Sequence, residues 1–270
     1  NQYRGHFVDV GANIGSCTVL MAALGYSVIA VEPVLEHIHA IQGSMRLNPA
    51  FGIELHHLGI ASHDTHMKGK FAHGDRNWGS TMFVPEDKAT AIAGPTMDLT
   101  LKSLNQIVGK RKVSMLKIDC EGCEWATLKG ATNIKRIPII KLEINPVFTD
   151  GDENITASEL IHYLQKQNYN VYEDICCGSM ERNGRTERIN EYPLLYGGYK
   201  GDSFDIDHMF GSGTFKLKPD EELNYKLAKD MLKRPIDYKY FRVLSYLRHT
   251  SADIIVIDKD LAEMMMKKFL

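Results

Sequence analysis

Residues 7–15 carry the stretch Phe7-Val8-Asp9-Val10-Gly11-Ala12-Asn13-Ile14-Gly15. A short apolar strand here runs into a turn with two glycines, and a helix-period segment follows from Ile14 to Leu24. Because glycine carries no Cβ, such a turn is predicted to bring backbone N–H groups close to a ligand. This strand–turn–helix unit indicates the fold class, since the same alternation continues along the chain.

Apolar runs alternate with helix-period segments as far as about residue 175, which predicts a mostly parallel, Rossmann-like α/β sheet with helices on both faces. Residues 62–95 break this rhythm, and we predict a long loop or small hairpin there, with strands Lys68–Phe71 and Thr81–Val84. The predicted sheet strands are His6–Val10, Ser27–Val31, Ile53–Ile60, Val113–Ile118, Ile137–Ile144 and Asn170–Ile175. The predicted helices are Ile14–Leu24, Leu35–Leu47, Glu124–Ala131 and Ala157–Lys166.

The pattern is lost after Ile175 and returns near the C-terminus. Ile254–Ile257 is predicted to be the seventh strand, antiparallel and at the sheet edge, followed by a Met-rich helix from Leu261. We therefore predict a single domain with a core at 1–175, an insertion at 176–252 and a terminal strand and helix at 253–270. Within the insertion, Asn183–Arg188 and Gly197–Gly213 are predicted loops, and Glu221–Leu232 and Tyr238–Leu247 are predicted helices.

The composition excludes some partners and leaves others open. The 270 residues carry a formal net charge of −2, which gives no overall attraction to nucleic acid or anionic lipid. No apolar run approaches the roughly 20 residues that a membrane-spanning helix needs. The chain begins at Asn1 and reaches a core strand by Phe7. We therefore expect a domain excised from a longer protein. We also predict a cytoplasmic location, and the sequence leaves the oligomeric state open.

Cys120 and Cys123 form a C-x-x-C pair, which redox and zinc sites also use. No second Cys/His pair follows at a zinc-like spacing, and Cys120 ends an apolar strand. The sequence therefore favours plain packing for these thiols, and for the vicinal Cys176 and Cys177, with a mild preference for a reducing compartment.

The charges near the glycine turn indicate the type of ligand. A dinucleotide fingerprint would place glycines at positions 13 and 16, where this chain has Asn13 and Ser16. Asp9, two residues before the first glycine, is predicted to receive an ammonium group and would repel a pyrophosphate. Glu32 closes the second strand, where an acid can accept hydrogen bonds from both ribose hydroxyls. The expected cofactor is cationic and contains no phosphate.

The sequence resembles the FkbM family of S-adenosylmethionine-dependent methyltransferases over residues 6–145. The most specific match is the Leu116-Lys117-Ile118-Asp119-x-Glu121-Gly122-x-Glu124 run. The other matching stretches are 7–15, Val31-Glu32-Pro33, Gly59-Ile60-Ala61, Gly79-Ser80-Thr81, Thr96-Met97-Asp98, Leu128-Lys129-Gly130-Ala131 and Leu142-Glu143-Ile144, in the family's order.

The resemblance implies S-adenosylmethionine as the cofactor and a hydroxyl of a sugar or glycan as the acceptor. It implies that Asp119 lies at the cofactor's methionine end and that Glu121 and Glu143 line the acceptor side. It also places Trp78 beside the cofactor, where a surface-anchoring role is an equal alternative. The cofactor-binding residues implied by the spacing and the resemblance together are Asp9, Gly11, Ala12, Asn13, Gly15, Glu32, Pro33, Gly59, Ile60, Ala61, Ser80 and Asp119.

Carboxylates cluster by sequence around the end of the strand Val113–Ile118. Asp119 emerges at the carboxyl edge of the sheet, where ligands bind in open α/β folds, and Asp119 or Glu121 can take a proton from an acceptor hydroxyl. Glu124 is predicted to be a partner of the helix N-terminus. The same carboxylates can hold Mg²⁺ or Ca²⁺, a divalent metal that is possible but not favoured. One of His56, His57, His63, His66 and His73 is an alternative base, although most are expected to be exposed.

Three hypotheses from different classes remain: an O-methyltransferase, a nicotinamide-dependent oxidoreductase and a catalytically silent scaffold. The missing glycines disfavour the second. Residues 233–248 interleave cations with aromatics, which single-stranded nucleic-acid grooves and sugar-binding walls both use. An ordinary amphipathic helix is favoured there, and the net negative charge argues against nucleic acid.

Overall fold

A computed structural model describes residues 5–74, 77–144, 155, 157–173, 180–182, 185–187 and 252–269. The strands are β1 (His6–Val10), β2 (Val28–Glu32), β3 (Ile53–His57), β4 (Gly59–Ile60), β5 (Thr65–Gly74), β6 (Asn77–Pro85), β7 (Met97–Lys102), β8 (Val113–Ile118), β9 (Ile139–Ile144), β10 (Tyr169–Glu173), β11 (Met180–Arg182), β12 (Arg185–Glu187) and β13 (Ala252–Asp258). The helices are α1 (Ser16–Ala23), α2 (Leu35–Leu47), α3 (Leu104–Val108), α4 (Glu124–Lys129), α5 (Ala157–Lys166) and α6 (Lys259–Phe269), with a 3₁₀ turn at Ile134–Arg136.

The main sheet has seven strands in the order β10-β13-β9-β8-β1-β2-β3, and the prediction of a mostly parallel sheet is confirmed. The interior strands β1 and β2 are buried along almost their whole length, as expected for strands covered on both faces. Their apolar runs are what made them recognisable in the sequence. Because β1 pairs in parallel with both β2 and β8, the carboxyl ends of these three strands meet at one edge of the sheet.

The terminal strand β13 is antiparallel, as predicted, but its predicted edge position is wrong. It lies between β9 and β10 and pairs antiparallel with both. Val256 and Ile257 are buried, and an apolar strand that is covered on both sides gains more from an interior position than from an edge. The edge strand on this side of the sheet is β10.

Residues 62–95 are more regular than predicted. Strands β5 and β6 extend beyond the predicted hairpin and join β4 and β7 in a second sheet with the order β4-β7-β5-β6. Phe71 and Phe83 face each other across this hairpin with ring centroids 5.1 Å apart. The single strand predicted at Ile53–Ile60 is divided between the two sheets, and neither β7 nor α3 was predicted.

Only a small part of the predicted insertion falls within the described residues. The loop predicted at Asn183–Arg188 is wrong where the structure describes it, because β11 and β12 pair there as a short antiparallel hairpin. The elements predicted at 197–213, 221–232 and 238–247, and the cationic and aromatic stretch at 233–248, lie outside the described residues. No helix in the described part of the chain is long and apolar enough to cross a membrane.

Candidate functional site

A cavity of about 970 Å³ opens at the carboxyl ends of β1, β2 and β8. Its volume lies at the upper end of the range for small-molecule sites. The predicted site residues that line it are Gly11, Ala12, Asn13, Glu32, Pro33, Gly59, Ile60, Ala61, Asp119 and Glu121. Asp9, Gly15 and Glu143 are not among its lining residues, and the side chain of Ser80 lies outside the described residues.

The backbone N–H groups of the glycine turn are already used within the protein. Those of Gly11 and Ala12 donate to the carbonyl of Val31 at 3.0 and 3.1 Å. The Asn13 N–H donates to Glu32 at 2.7 Å, that of Ile14 to the Asn13 side chain at 2.7 Å, and that of Gly15 to the Ala12 carbonyl at 2.9 Å. The turn borders the cavity, but its N–H groups have partners within the protein. A pyrophosphate would find no unengaged N–H among residues 11–15.

The glycines serve close packing instead. Gly11 has a φ of 77°, and a Cβ built there would lie 1.8 Å from the Asp119 carbonyl oxygen. At Gly15 the φ is 91° and the added Cβ would lie 2.7 Å from the Ile41 side chain. The turn can therefore lie directly against Asp119 on one side and α2 on the other only because these two positions lack a side chain.

Asp9 lies behind the turn and not in the cavity. Its side chain is fully buried, and Oδ2 accepts a hydrogen bond from Thr18 at 2.7 Å. Its Oδ1 accepts no hydrogen bond, but the Lys117 ammonium lies 3.3 Å away. The expected contact between Asp9 and a ligand's ammonium is not available in this arrangement. Asp9 therefore contributes to the site indirectly, through its contact with the Lys117 ammonium.

The Glu32 carboxylate fixes the backbone of the glycine turn at Asn13. It is 4% exposed, and its carboxylate accepts hydrogen bonds from the N–H groups of Asn13 and Val34. His37 contacts its Oε1 at 3.1 Å. Because Oε2 has one partner and a carboxylate oxygen can accept two hydrogen bonds, Glu32 keeps capacity for a ligand hydroxyl in the cavity that it lines.

Lys117 connects three parts of the site. Its Nζ donates to the Gly11 carbonyl at 3.2 Å and lies 3.3 Å from Asp9 and 3.2 Å from Asp119. Burial disfavours the ammonium, but the two carboxylates outweigh it and raise the pKa of Lys117 above its ordinary value. Lys117 is therefore a permanent buried cation between the turn and the carboxylates.

Asp119 is half-exposed at the cavity surface. Burial opposes its ionisation, but the charge of Lys117 and hydrogen bonds from Glu143 and Lys117 hold the pKa of Asp119 below its ordinary value. A carboxylate of this kind is a weak base at neutral pH and a persistent negative charge. It is suited to stabilising a cation.

The lowered pKa of Asp119 gives a pH prediction. A carboxyl whose folded-state pKa is depressed contributes stability that is present above its unfolded pKa, about 4, and is lost as the pH falls through the folded value. We expect Asp119→Asn to be less stable than the wild type at pH 7, and the difference to shrink on acidification below pH 4. Urea unfolding of both proteins across that range measures it, and a pH-independent difference would contradict the ion pair.

Asp119, Glu121 and Glu143 are brought together as predicted, with one carboxylate oxygen from each within 4.8 Å of the others. Glu143 lies on β9 beside β8 and hydrogen-bonds to Asp119. Of the three carboxylates, Asp119 and Glu121 border the cavity.

Glu124 organises the turn that carries Glu121. It is buried, and its carboxylate accepts the N–H groups of Cys120 at 3.3 Å and Gly122 at 3.0 Å. Burial raises the pKa of Glu124, although these N–H groups partly oppose the shift. Glu124 is therefore more than a partner of the helix N-terminus, because it ties down the backbone on both sides of Glu121.

Cys120 and Cys123 are joined by a disulfide bond, so the expectation that they are plain packing thiols is wrong. Their Cα atoms lie 5.5 Å apart, a separation common in disulfides. The spacing alone could not distinguish packing from pairing. Cys176 and Cys177 lie outside the described residues.

Other side chains of the site were not recognised from the sequence. Trp125 lines the cavity and packs edge-to-face on Tyr163, with ring centroids 5.0 Å apart. His37 also lines it and contacts Glu32. A lysine inside the apolar strand β8 was the available signal for Lys117. Of the histidines considered as alternative bases, His56 contacts Glu54, His57 contacts the Pro33 carbonyl and His66 contacts Asp98. His63 lines the cavity.

A family profile and a curated relative that match this sequence are both methyltransferases. The profile of the methyltransferase FkbM domain matches residues 9–171. "Methyltransferase 1" from Beauveria bassiana (strain ARSEF 2860) is 25% identical over 143 residues, which cover 46% of this chain and 57% of that relative. The chain thus matches little more than half the length of that protein.

Two solved structures are similar in part. Methyltransferase FkbM from Methylobacillus flagellatus KT has a TM-score of 0.42 at 20% identity, covering 63% of this chain and 39% of that one. Precorrin-6y C5,15-methyltransferase from Geobacter metallireducens GS-15 has a TM-score of 0.33 at 11% identity, covering 63% and 65%.

Proposed function

This chain belongs to the methyltransferase FkbM family, and on that premise we propose that it is an S-adenosylmethionine-dependent O-methyltransferase. The observation that carries the cofactor assignment is the engagement of every N–H of residues 11–15 within the protein, next to Glu32 and Asp119 in the cavity wall. These features suit a cationic cofactor without phosphate and oppose a dinucleotide. The strand order with β13 antiparallel inside the sheet supports a class I methyltransferase fold.

The residues divide between the two ends of the cofactor. Glu32 accepts ribose hydroxyls through the free capacity of Oε2, and Gly59 to Ala61 form the wall on the neighbouring side. Asp119, kept anionic by Lys117, faces the positively charged end. S-adenosylmethionine supplies an electrophilic methyl group on a sulfonium.

Glu121 is the residue proposed to take the acceptor's proton. It lines the cavity next to Asp119, and Glu124 and the disulfide fix the turn on which it sits. In-line transfer needs the hydroxyl aligned and relieved of its proton, and Asp119 is a weak base because its pKa is lowered. Glu143 positions Asp119 from behind through their hydrogen bond.

The acceptor is proposed to be a sugar hydroxyl in a glycan or glycoconjugate. Trp125 lines the cavity four residues from Glu121, and an indole can stack on the C–H face of a sugar ring. The cavity, at about 970 Å³, has room for more than one small molecule. The acceptor class otherwise follows from the family resemblance. A cytoplasmic location remains a prediction.

A divalent ion would be held by Asp119, Glu121 and Glu143, since carboxylates are its usual ligands. The Asp119 carboxylate is already engaged by Lys117 at 3.2 Å and by a hydrogen bond with Glu143, and a directly coordinated metal would have to displace these contacts. We therefore assign no step to a metal. Treatment with EDTA should leave turnover unchanged, and recovery of lost activity by Mg²⁺ or Ca²⁺ would reverse this assignment.

The activity is tested by incubating the protein with S-adenosylmethionine and a panel of glycosides. We expect a mass gain of one methyl group on at least one glycoside, with S-adenosylhomocysteine formed in equal amount. Methylation of other hydroxyl compounds but of no glycoside would contradict the acceptor class. Oxidation or reduction with NAD(H) and no methyl gain would favour the rival oxidoreductase.

Replacing Glu121 by glutamine should reduce turnover about 10²-fold or more while S-adenosylhomocysteine affinity changes less than threefold, because the base is lost and the cofactor contacts remain. The exposed Glu86, in the turn after β6, offers a control, since Glu86→Gln should retain both properties. Steady-state rates with the identified acceptor and calorimetry measure the two effects. Loss of binding at an unchanged saturated rate would reverse the assigned roles.

A further inference from the structure

The disulfide encloses the residue proposed as the base. Cys120 and Cys123 bracket Glu121 and Gly122, and both cysteines line the cavity. Glu121 and Gly122 have positive φ angles of 53° and 118°. A non-glycine residue in this region is rare and persists where the surroundings fix it. The covalent ring is one of the features that hold Glu121 in this backbone conformation.

The second feature that holds the turn is the Glu124 carboxylate. It accepts the N–H groups of Cys120 and Gly122, the residues on either side of Glu121. The Asp119 N–H also donates to the Val10 carbonyl at 3.0 Å, which anchors the start of the turn to β1. Opening the disulfide would remove one of these restraints and leave the Glu124 contacts with the backbone on both sides of Glu121.

Each sulfur has an oxygen partner ready for the reduced state. Cys120 Sγ lies 3.6 Å from Glu124 Oε1, and Cys123 Sγ lies 3.3 Å from Thr127 Oγ1. Two thiols can therefore be accommodated with α4 in place. A Cys120 thiol that donates to Glu124 adds a third donor to Oε1, which already accepts the N–H groups of Cys120 and Gly122. Reduction thus removes the covalent restraint and weakens the remaining one.

We propose that Cys120 and Cys123 form a reversible dithiol/disulfide site that controls the order of the 119–124 turn and, through Glu121, the rate of methyl transfer. The second part of this inference depends on the proposed function. Reduction by a small thiol such as glutathione proceeds by attack of its thiolate on one sulfur. The protein S–S bond breaks, and a mixed disulfide forms.

A second glutathione thiolate then attacks the mixed disulfide, which releases the second protein thiol and forms glutathione disulfide. Two glutathiones are oxidised to one glutathione disulfide, and the protein gains two electrons and two protons as two thiols. Glutathione disulfide drives the reverse reaction. Both cysteines border the open cavity, which gives a small thiol access to the bond.

The test uses the full chain with the other cysteines removed, as the triple variant Cys17→Ser/Cys176→Ser/Cys177→Ser, so that alkylation reports on the pair alone. The protein is equilibrated in glutathione buffers of graded ratio, alkylated and weighed by mass spectrometry. Hydrogen exchange of the 119–125 peptide follows the turn and needs no acceptor. Cys120→Ser/Cys123→Ser in the same background is the matched control.

We expect reversible two-electron titration and at least tenfold faster exchange of this peptide in the reduced form, with no redox response in the control. With the identified acceptor, kcat should fall at least tenfold on reduction. A pair that stays in one state across the range, or exchange and kcat that do not depend on its state, would overturn the inference. Failure of S-adenosylhomocysteine to bind in both states would instead contradict the proposed function, since the exchange and titration results do not depend on it.

Discussion

Replacing Lys117 by methionine should lower the free energy of unfolding by about 3–5 kcal/mol, because it leaves two carboxylates without their buried cation. Methionine preserves much of the volume, so the main change is the loss of charge. Asp9 is fully buried and Lys117 is the cation beside its Oδ1. The Gly11 carbonyl also loses its contact with the ammonium. Urea unfolding at pH 7 measures the change.

A matched control and a double variant separate the charge effect from packing. Lys110 is exposed, and Lys110→Met should change stability by less than about 0.5 kcal/mol. Asp9→Asn/Lys117→Met should be more stable than the sum of its two single changes by about 0.5–3 kcal/mol, because the second substitution removes an unpaired charge. Strict additivity, or a cost below about 1 kcal/mol for Lys117→Met, would show that this ion pair does not support the site.

Replacing Glu32 by glutamine should weaken S-adenosylhomocysteine binding about tenfold to hundredfold. Hydrogen bonds to a charged acceptor contribute about 1.5–3 kcal/mol, and the amide supplies one acceptor oxygen where the carboxylate supplied two. An amide NH₂ would also face the N–H of either Asn13 or Val34, which now donate to Oε2 and Oε1. The turn and the ribose end are therefore affected together. Calorimetry gives the affinity directly.

The control for Glu32 lies four residues away on α2. Glu36 is exposed in the first turn of that helix, so Glu36→Gln removes the same charge near the same place without touching the cavity. Its affinity should remain within about threefold of the wild type. Equal affinity of the wild type and Glu32→Gln would remove Glu32 from the binding site.

Strands β1 and β8 could be predicted because their burial is evident from short stretches of their own sequence. Strands β1 and β8 are short apolar runs, and the structure covers them on both faces. The position of β13 depends instead on a competition among strands for the sheet interior, which its sequence does not report. Strand β7 alternates apolar and polar residues, but it pairs with β5 across a separation of 28 to 36 positions, and no local pattern reports such a partner. The second sheet was therefore missed.

The candidate site was predictable to the same extent. Asp119, Glu121 and Glu143 follow adjacent parallel strands or lie near their ends, so their meeting at one edge was expected. The burial of Asp9 was not, because its partner Lys117 is 108 positions away and nothing local pairs them. The state of Cys120 and Cys123 also depends on how the 119–124 turn is folded.

The most direct test of the central claim, that this cavity binds S-adenosylmethionine, is calorimetric titration of the protein with S-adenosylhomocysteine and, separately, with NAD⁺ and NADH. The account predicts saturable one-to-one binding of S-adenosylhomocysteine, weakened by Glu32→Gln and unchanged by Glu36→Gln, with no binding of either dinucleotide. Tight binding of NAD⁺ or NADH without binding of S-adenosylhomocysteine would contradict it.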